Sequence, residues 1–179
     1  MMGLICNLLL GFIEKKSDKK TVEEIKKKAG IAWEKFKTEQ IYPDETWQKL
    51  LNATCEVLGV NKDIAEKLFA EYTIDALVNN FGSFFKSSPS ALELFRKVPK
   101  IHLDLPASMG ATTLEKLKLM VDSEKQIIFY YRSPNQLCTF LKALAEHVFK
   151  QYKETGYSIV EKQCVKDGAE YCEIVINIK

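Results

Sequence analysis

Through roughly the first hundred residues the apolar positions recur at a helical period, and after about residue 113 the period shortens toward strand-like alternation. Met1 to Ile13 is an apolar opening followed at once by Glu14-Lys15-Lys16, the pattern of a buried first helix. Thr21-Val22-Glu23-Glu24 has the form of a capping box, opening a short helix that Gly30 closes. Asp44 is placed to cap a second helix, on which Trp47, Leu50, Leu51, Cys55 and Leu58 recur at helical spacing. A longer helix starts at Asn61, carries Ile64, Leu68, Tyr72 and Leu77, and ends near Asn79-Asn80-Phe81-Gly82. Ser88-Pro89 marks another start, with proline at the first helical position.

Leu114 to Val121 and Gln126 to Arg132 then read as strands joined by Asp122-Ser123-Glu124, a hairpin. Ser133-Pro134 opens a helix with a stripe of Leu137, Phe140, Leu141, Leu144 and Val148, ending at Gly156. Tyr157 to Val165 and Ala169 to Ile178 flank Lys166-Asp167-Gly168, a second hairpin with an Asp-Gly turn. The pattern predicts one α+β domain over 1–179. Its helical part covers 1–112, and a four-stranded antiparallel sheet in β-β-α-β-β order covers 113–179.

Composition narrows the function classes. The chain has 179 residues, 46% hydrophobic and 28% charged, with only 8 Gly and 5 Pro, which is a globular composition. Lys plus Arg (26) nearly balances Asp plus Glu (24), so no field is available to hold a nucleic acid backbone. The apolar opening lacks a basic n-region and a cleavage site, and falls short of the about 20 apolar residues a membrane span needs. A cytoplasmic, reducing compartment is expected, with the five cysteines as thiols or metal ligands.

Enzyme motifs are missing. Neither of the two histidines, His102 and His147, sits in a nucleophile motif, and no glycine loop is built to cradle phosphate. His147 reads as a half-buried structural histidine of the last long helix. His102 shares a helical face with Phe95, Val98 and Leu105, so its imidazole requires a partner. The pattern leaves open a satisfied core histidine or a metal ligand. Cys164 and Cys172 bracket the Asp-Gly turn, and Cys138 begins the preceding helix, so three cysteines converge near one corner. A zinc site, three free thiols and a redox-switched Cys164–Cys172 pair are the readings that follow. Cys6 and Cys55 read as small buried hydrophobes.

Met2-Gly3-Leu4-Ile5, Ile101-His102-Leu103-Asp104-Leu105, Gly110-Ala111-Thr112 and Tyr131-Arg132-Ser133-Pro134-Asn135 together resemble the heme–nitric oxide/oxygen binding (H-NOX) domain. That family is the bacterial relative of the heme domain of soluble guanylate cyclase, and the motifs follow its order along the whole chain. The resemblance implies a b-type heme between the two halves, with His102 as proximal iron ligand. It also implies a Tyr-x-Ser-x-Arg motif holding the heme propionates. Tyr131 and Ser133 match, whereas Asn135 stands at the arginine position and offers only neutral hydrogen bonds. Arg132 should point to the opposite side of its strand. Pro99 is expected to bend the histidine helix or restart it just before Lys100. Family members often carry a heme-distorting proline where Thr113 and Leu114 stand, which implies a flatter heme here.

By matched spacing the distal gas pocket is Ile5, Leu9, Ile74 and Phe140, with Phe140 where oxygen-binding members have a tyrosine. Bound oxygen gains from a hydrogen-bond donor, and NO and CO do not need one. The resemblance therefore implies a ferrous five-coordinate sensor of NO and CO, not an enzyme. It would signal by breaking the iron–His102 bond, to a separate histidine kinase or cyclic-di-GMP enzyme. Some family members hold a structural zinc with three cysteines and a histidine; Glu161 takes that histidine's place here. The alternative is a heme-free small-molecule sensor, because Cys164 to Cys172 also resembles the 4-vinyl-reductase-type ligand domains.

Overall fold

The computed structural model describes residues 1–32, 34–108 and 115–179. The Gly110-Ala111-Thr112 motif, Thr113, Leu114 and the expected start of the first strand lie outside them. Helix α1 (Gly3–Lys16) is anchored at its start by the 37–42 loop, where the Gly3 and Leu4 N–H groups donate to the carbonyls of Gln40 (2.9 Å) and Thr38 (3.0 Å). Only glycine fits at position 3, since a Cβ there would lie 2.1 Å from the Lys37 carbonyl oxygen.

Helix α2 (Lys19–Lys28) starts earlier than the capping-box reading places it. Asp18 is the cap, accepting from the Thr21 N–H at 2.7 Å and from its hydroxyl at 2.9 Å. Asp44 is likewise not a cap but the first residue of α3 (Asp44–Leu58), and its carboxylate is committed elsewhere. Asn61 does cap α4 (Lys62–Asn80), accepting from the Ile64 N–H at 2.9 Å. The buried face of α4 is Ala65, Glu66, Phe69, Ala70, Thr73 and Ile74, while Ile64 and Leu68 from the expected stripe stay 46% and 39% exposed. A short helix α5 (Gly82–Lys86), not anticipated, leads to α6 (Ala91–Ser108). The expected restart before Lys100 does not occur, because α6 runs unbroken through Pro99 and Pro106. Each proline removes one main-chain bond, and burial of both rings supports the helix there.

Strands β1 (Leu117–Asp122), β2 (Gln126–Tyr131), β3 (Tyr157–Gln163) and β4 (Cys172–Ile178) form one antiparallel sheet in the order β1-β2-β4-β3. The expected α+β arrangement is therefore observed. The last connection is longer than a two-residue turn. A single 3-10 turn at Val165–Asp167 precedes Gly168, whose φ of 91° demands glycine. Alternation in β2 turns Ile127, Phe129 and Tyr131 inward, opposite Ile176, Ile174 and Cys172 of β4.

Helix α7 (Cys138–Gln151) lies along α4 and against β3, starting later than Ser133-Pro134 suggested. Aromatic rings tie the layers together. Phe69 of α4 contacts Phe12, Trp47 and Phe140, and Phe95 of α6 contacts Phe129 and Phe149. Cys6 is fully buried as expected, whereas Cys55 is only half-buried. No helix among the described residues is long and apolar enough to cross a membrane.

Candidate functional site

His102 stands two-thirds of the way along α6, between the two prolines. Its Nδ1 lies 2.9 Å from the Val98 carbonyl oxygen. A carbonyl can only accept, so the neutral ring carries its proton on Nδ1 and leaves the Nε2 lone pair free. The ring retains accessible surface, yet its pKa is pushed below the ordinary value. Close packing of protein around the ring is the largest cause, the Val98 bond opposes it, and the positive charge of Lys116 adds to it. Together these make His102 a neutral, pre-oriented imidazole with a reachable nitrogen, which fits an axial iron ligand. His147, by contrast, is half-buried on α7, as its pattern indicated.

The sequence-predicted propionate residues form a connected polar cluster at the end of β2. The buried Tyr131 hydroxyl accepts from the Leu137 N–H at 3.0 Å, and burial raises its pKa to about 12, so it stays protonated. Ser133 Oγ accepts from the Asn135 N–H at 3.3 Å. The Asn135 side chain is 2% exposed; its Nδ2 donates to Asp44 Oδ1 at 2.8 Å, and its Oδ1 finds no partner among the described residues. Lys116, just before β1, grips the same Asp44 carboxylate at 3.0 and 2.8 Å. Burial works to raise the Asp44 pKa, but Lys116 and Asn135 outweigh it and hold the carboxylate below its ordinary value. Arg132 pairs with Glu170 on the exposed side, as strand alternation required. Sequence reasoning missed Asp44 and Lys116 as members of this cluster.

Leu9 and Ile74, expected in the distal pocket, are buried in the main core, and Ile5 and Phe140 pack against it. Phe140 stacks on Phe69 with ring centroids 5.2 Å apart. Trp47, also against Phe69, has an indole N–H that is buried without a partner among the described residues. Sequence reasoning overlooked this donor, since a tryptophan in an apolar stripe reads as core.

The cysteine corner assembles. Cys138 Sγ lies 3.3 Å from Cys164 Sγ, which lies 3.6 Å from Cys172 Sγ. A carboxylate oxygen of Glu161 joins them, so that all four candidate ligand atoms lie within 4.8 Å of one another. Burial raises the Cys172 thiol to about 11 and pushes Cys138 up further. Glu161 pairs through Oε2 with Lys142, while its Oε1 is buried with no partner among the described residues. Thiolates about 2.3 Å from a tetrahedral zinc stand roughly 3.8 Å apart, so the spacing and the orphaned oxygen fit that metal. Beside this corner Lys166 bridges Asp63 (2.7 Å), Thr139 (3.1 Å) and the fully buried Glu66 (3.4 Å), whose other oxygen accepts from the Phe140 N–H at 2.9 Å.

Comparisons with known proteins give the fold and the family of the chain. An H-NOX protein from S. oneidensis, solved in the Fe(II)NO ligation state, superposes with a TM-score of 0.86 at 17% identity, covering 100% of this chain and 99% of that one. The Fe(II) unliganded H-NOX protein from K. algicida gives 0.83 at 16% identity, covering 100% and 97%. At these identities the likeness shows the fold. No curated protein matches the chain by sequence. The family model described as Haem-NO-binding matches residues 2–158 of the 179. By that match over most of its length, the chain belongs to the haem-NO-binding (H-NOX) family of heme-based gas sensors.

Proposed function

We propose that this chain is a sensor of NO and CO that discriminates against O2. His102 is the proximal ligand of a five-coordinate b-type heme, and Tyr131, Ser133 and Asn135 face the propionates. The observation that carries the reading is the Nδ1–Val98 hydrogen bond, which leaves Nε2 of a neutral imidazole as the free ligand atom. When bound, ferrous heme supplies the iron on which NO and CO bind. Ile5, Leu9, Ile74 and Phe140 offer no hydrogen-bond donor from their side chains, which favours these two gases over polarised bound oxygen.

Signalling rests on α6. Pro99 and Pro106 leave the Phe95 and His102 carbonyls without their helical N–H partners, so α6 has one main-chain bond fewer on either side of the Val98–His102 contact. Holding or releasing His102 therefore gives α6 two positions, and only such a differential can carry a signal to a separate partner protein. Phe95, on the same helix, transmits the change to Phe129 and Phe149. The histidine kinase or cyclic-di-GMP enzyme implied by the resemblance fits that role, in a reducing bacterial cytoplasm. The chain itself is read as non-catalytic. We also read the Cys138, Glu161, Cys164 and Cys172 corner as a structural zinc site, on the strength of its spacing and the unpartnered Glu161 oxygen.

The test is the visible absorption spectrum of reduced protein before and after NO, CO and air. An intense Soret band shifting with NO and CO but not air is expected, and His102→Ala should abolish the five-coordinate spectrum. A spectrum unchanged in His102→Ala would remove His102 from the site. No Soret band even after heme is supplied would move the function to a heme-free ligand sensor.

A further inference from the structure

The residue at the motif's arginine position cannot supply charge. Asn135 is neutral, one N–H of its Nδ2 is committed to Asp44, and its Oδ1, unpartnered among the described residues, is an acceptor that does not favour an anion. A heme dianion held only by neutral groups in a partly buried cluster would leave its charge unmatched, which is costly. The cluster nevertheless holds a cation. Lys116 Nζ and Asn135 Nδ2 meet on the single atom Asp44 Oδ1, at 3.0 and 2.8 Å, so the ammonium sits beside the position a longer arginine would fill. Resting on the heme reading above, we propose that Lys116, in the segment leading into β1, is the cationic partner of a heme propionate in this chain, replacing the family's arginine, with Asp44 as its positioning residue.

Other cations fit less well: the Met1 ammonium reaches the same Asp44 Oδ1 only at 3.5 Å and donates at 2.6 Å to the Tyr42 carbonyl. Lys62 reaches the Asn135 main-chain carbonyl at 3.4 Å but makes no contact with the Asp44 carboxylate. Arg132 is occupied with Glu170 and largely exposed. The Lys116 side chain is one-third exposed and anchored through both oxygens of Asp44, enough to be positioned and still reach a second carboxylate.

The test compares two probes, heme and heme dimethyl ester, whose propionates are uncharged. Lys116→Met should weaken heme binding by about tenfold or more, the size of a charge-assisted hydrogen bond, with ester binding unchanged. Lys62→Met should leave both at the wild-type level. Adding Asn135→Arg to Lys116→Met should restore heme affinity, since the fork returns the missing charge. Equal heme affinity in wild type and Lys116→Met overturns the proposal while leaving His102 ligation intact. Equal losses for heme and its ester also overturn it, because the lysine would then be structural. Wild-type protein that binds neither probe refutes the heme reading itself, and this proposal with it.

Discussion

Lys166→Met is the perturbation whose cost can be worked most directly from the structure. Glu66 is 1% exposed on α4, with one oxygen on the Phe140 N–H at 2.9 Å and the other facing Lys166 at 3.4 Å. Burial raises the Glu66 pKa above its ordinary 4.5, and Lys166 opposes the shift. For Lys166 burial likewise works against the charge, but Asp63 and Glu66 outweigh it and hold the ammonium above its ordinary pKa. Removing the cation leaves a buried carboxylate uncompensated, a loss of about 3–5 kcal/mol in comparable sites. The lysine is 22% exposed, so solvent already screens part of its attraction and the lower end applies. About 3 kcal/mol corresponds to a fall of roughly 6–12 °C in Tm for a chain of this size.

The pH dependence has a definite sign. An acid whose folded pKa is raised binds its proton more tightly folded than unfolded, so its contribution is complete below the unfolded value and declines as pH rises through the folded one. Lys166→Met raises the folded pKa further, so its deficit against wild type should be largest at pH 7 and shrink toward pH 4.5. Urea titrations at several pH values measure this. Glu66→Gln added to Lys166→Met should recover most of the loss, since an amide oxygen still accepts from the Phe140 N–H without needing a cation. A single variant within about 1 kcal/mol of wild type, or a double variant no more stable than it, would refute the reasoning.

Two further outcomes are expected. Gly3→Ala should cost at least about 1–3 kcal/mol, read as a drop in urea midpoint, because a methyl 2.1 Å from the Lys37 carbonyl must push the 37–42 loop off the start of α1. Purified protein should carry one zinc per chain by elemental analysis, and Cys164→Ser should lose it together with stability. A melting temperature that zinc and chelators leave unmoved would show three free thiols instead.

Local signals with a single physical outlet were legible in the sequence. Asn61 can only cap, because no charged group competes for its side chain, and it does. The apolar run at Gln126–Tyr131 reads as a strand and is one, though it is apolar almost throughout and did not show that Ile127, Phe129 and Tyr131 form the buried face. Reading failed on α4, where apolarity pointed to Ile64 and Leu68. The buried face instead includes Glu66 and Thr73, both satisfied by hydrogen bonds. Lys166 arrives from 100 residues away to support Glu66, and no local pattern announces it. The Asp-Gly turn failed for a smaller reason: Gly168 takes the left-handed position after a 3-10 turn rather than inside a two-residue loop.

Asp44 shows why the candidate site was only half legible. Before an amphipathic run, an aspartate has a local role as cap and a long-range role as counter-ion, and sequence favours the local one because its partners are adjacent. Here the partners are Lys116, 72 positions on, Asn135, 91 positions on, and at 3.5 Å the Met1 ammonium, 43 positions back. Two charge-assisted bonds from a lysine and one amide bond outweigh a capping bond worth about 1 kcal/mol. The residue pattern around His102 left its role open and only the motif resemblance pointed to iron, although the ring's orientation is set within one helical turn by Val98. Lys116 was not legible as a neighbour of Asn135, because it lies 19 positions earlier, in the segment leading into β1, and meets Asn135 only through Asp44. A motif scan therefore registers Asn135 as a loss, whereas the structure keeps a cation beside it.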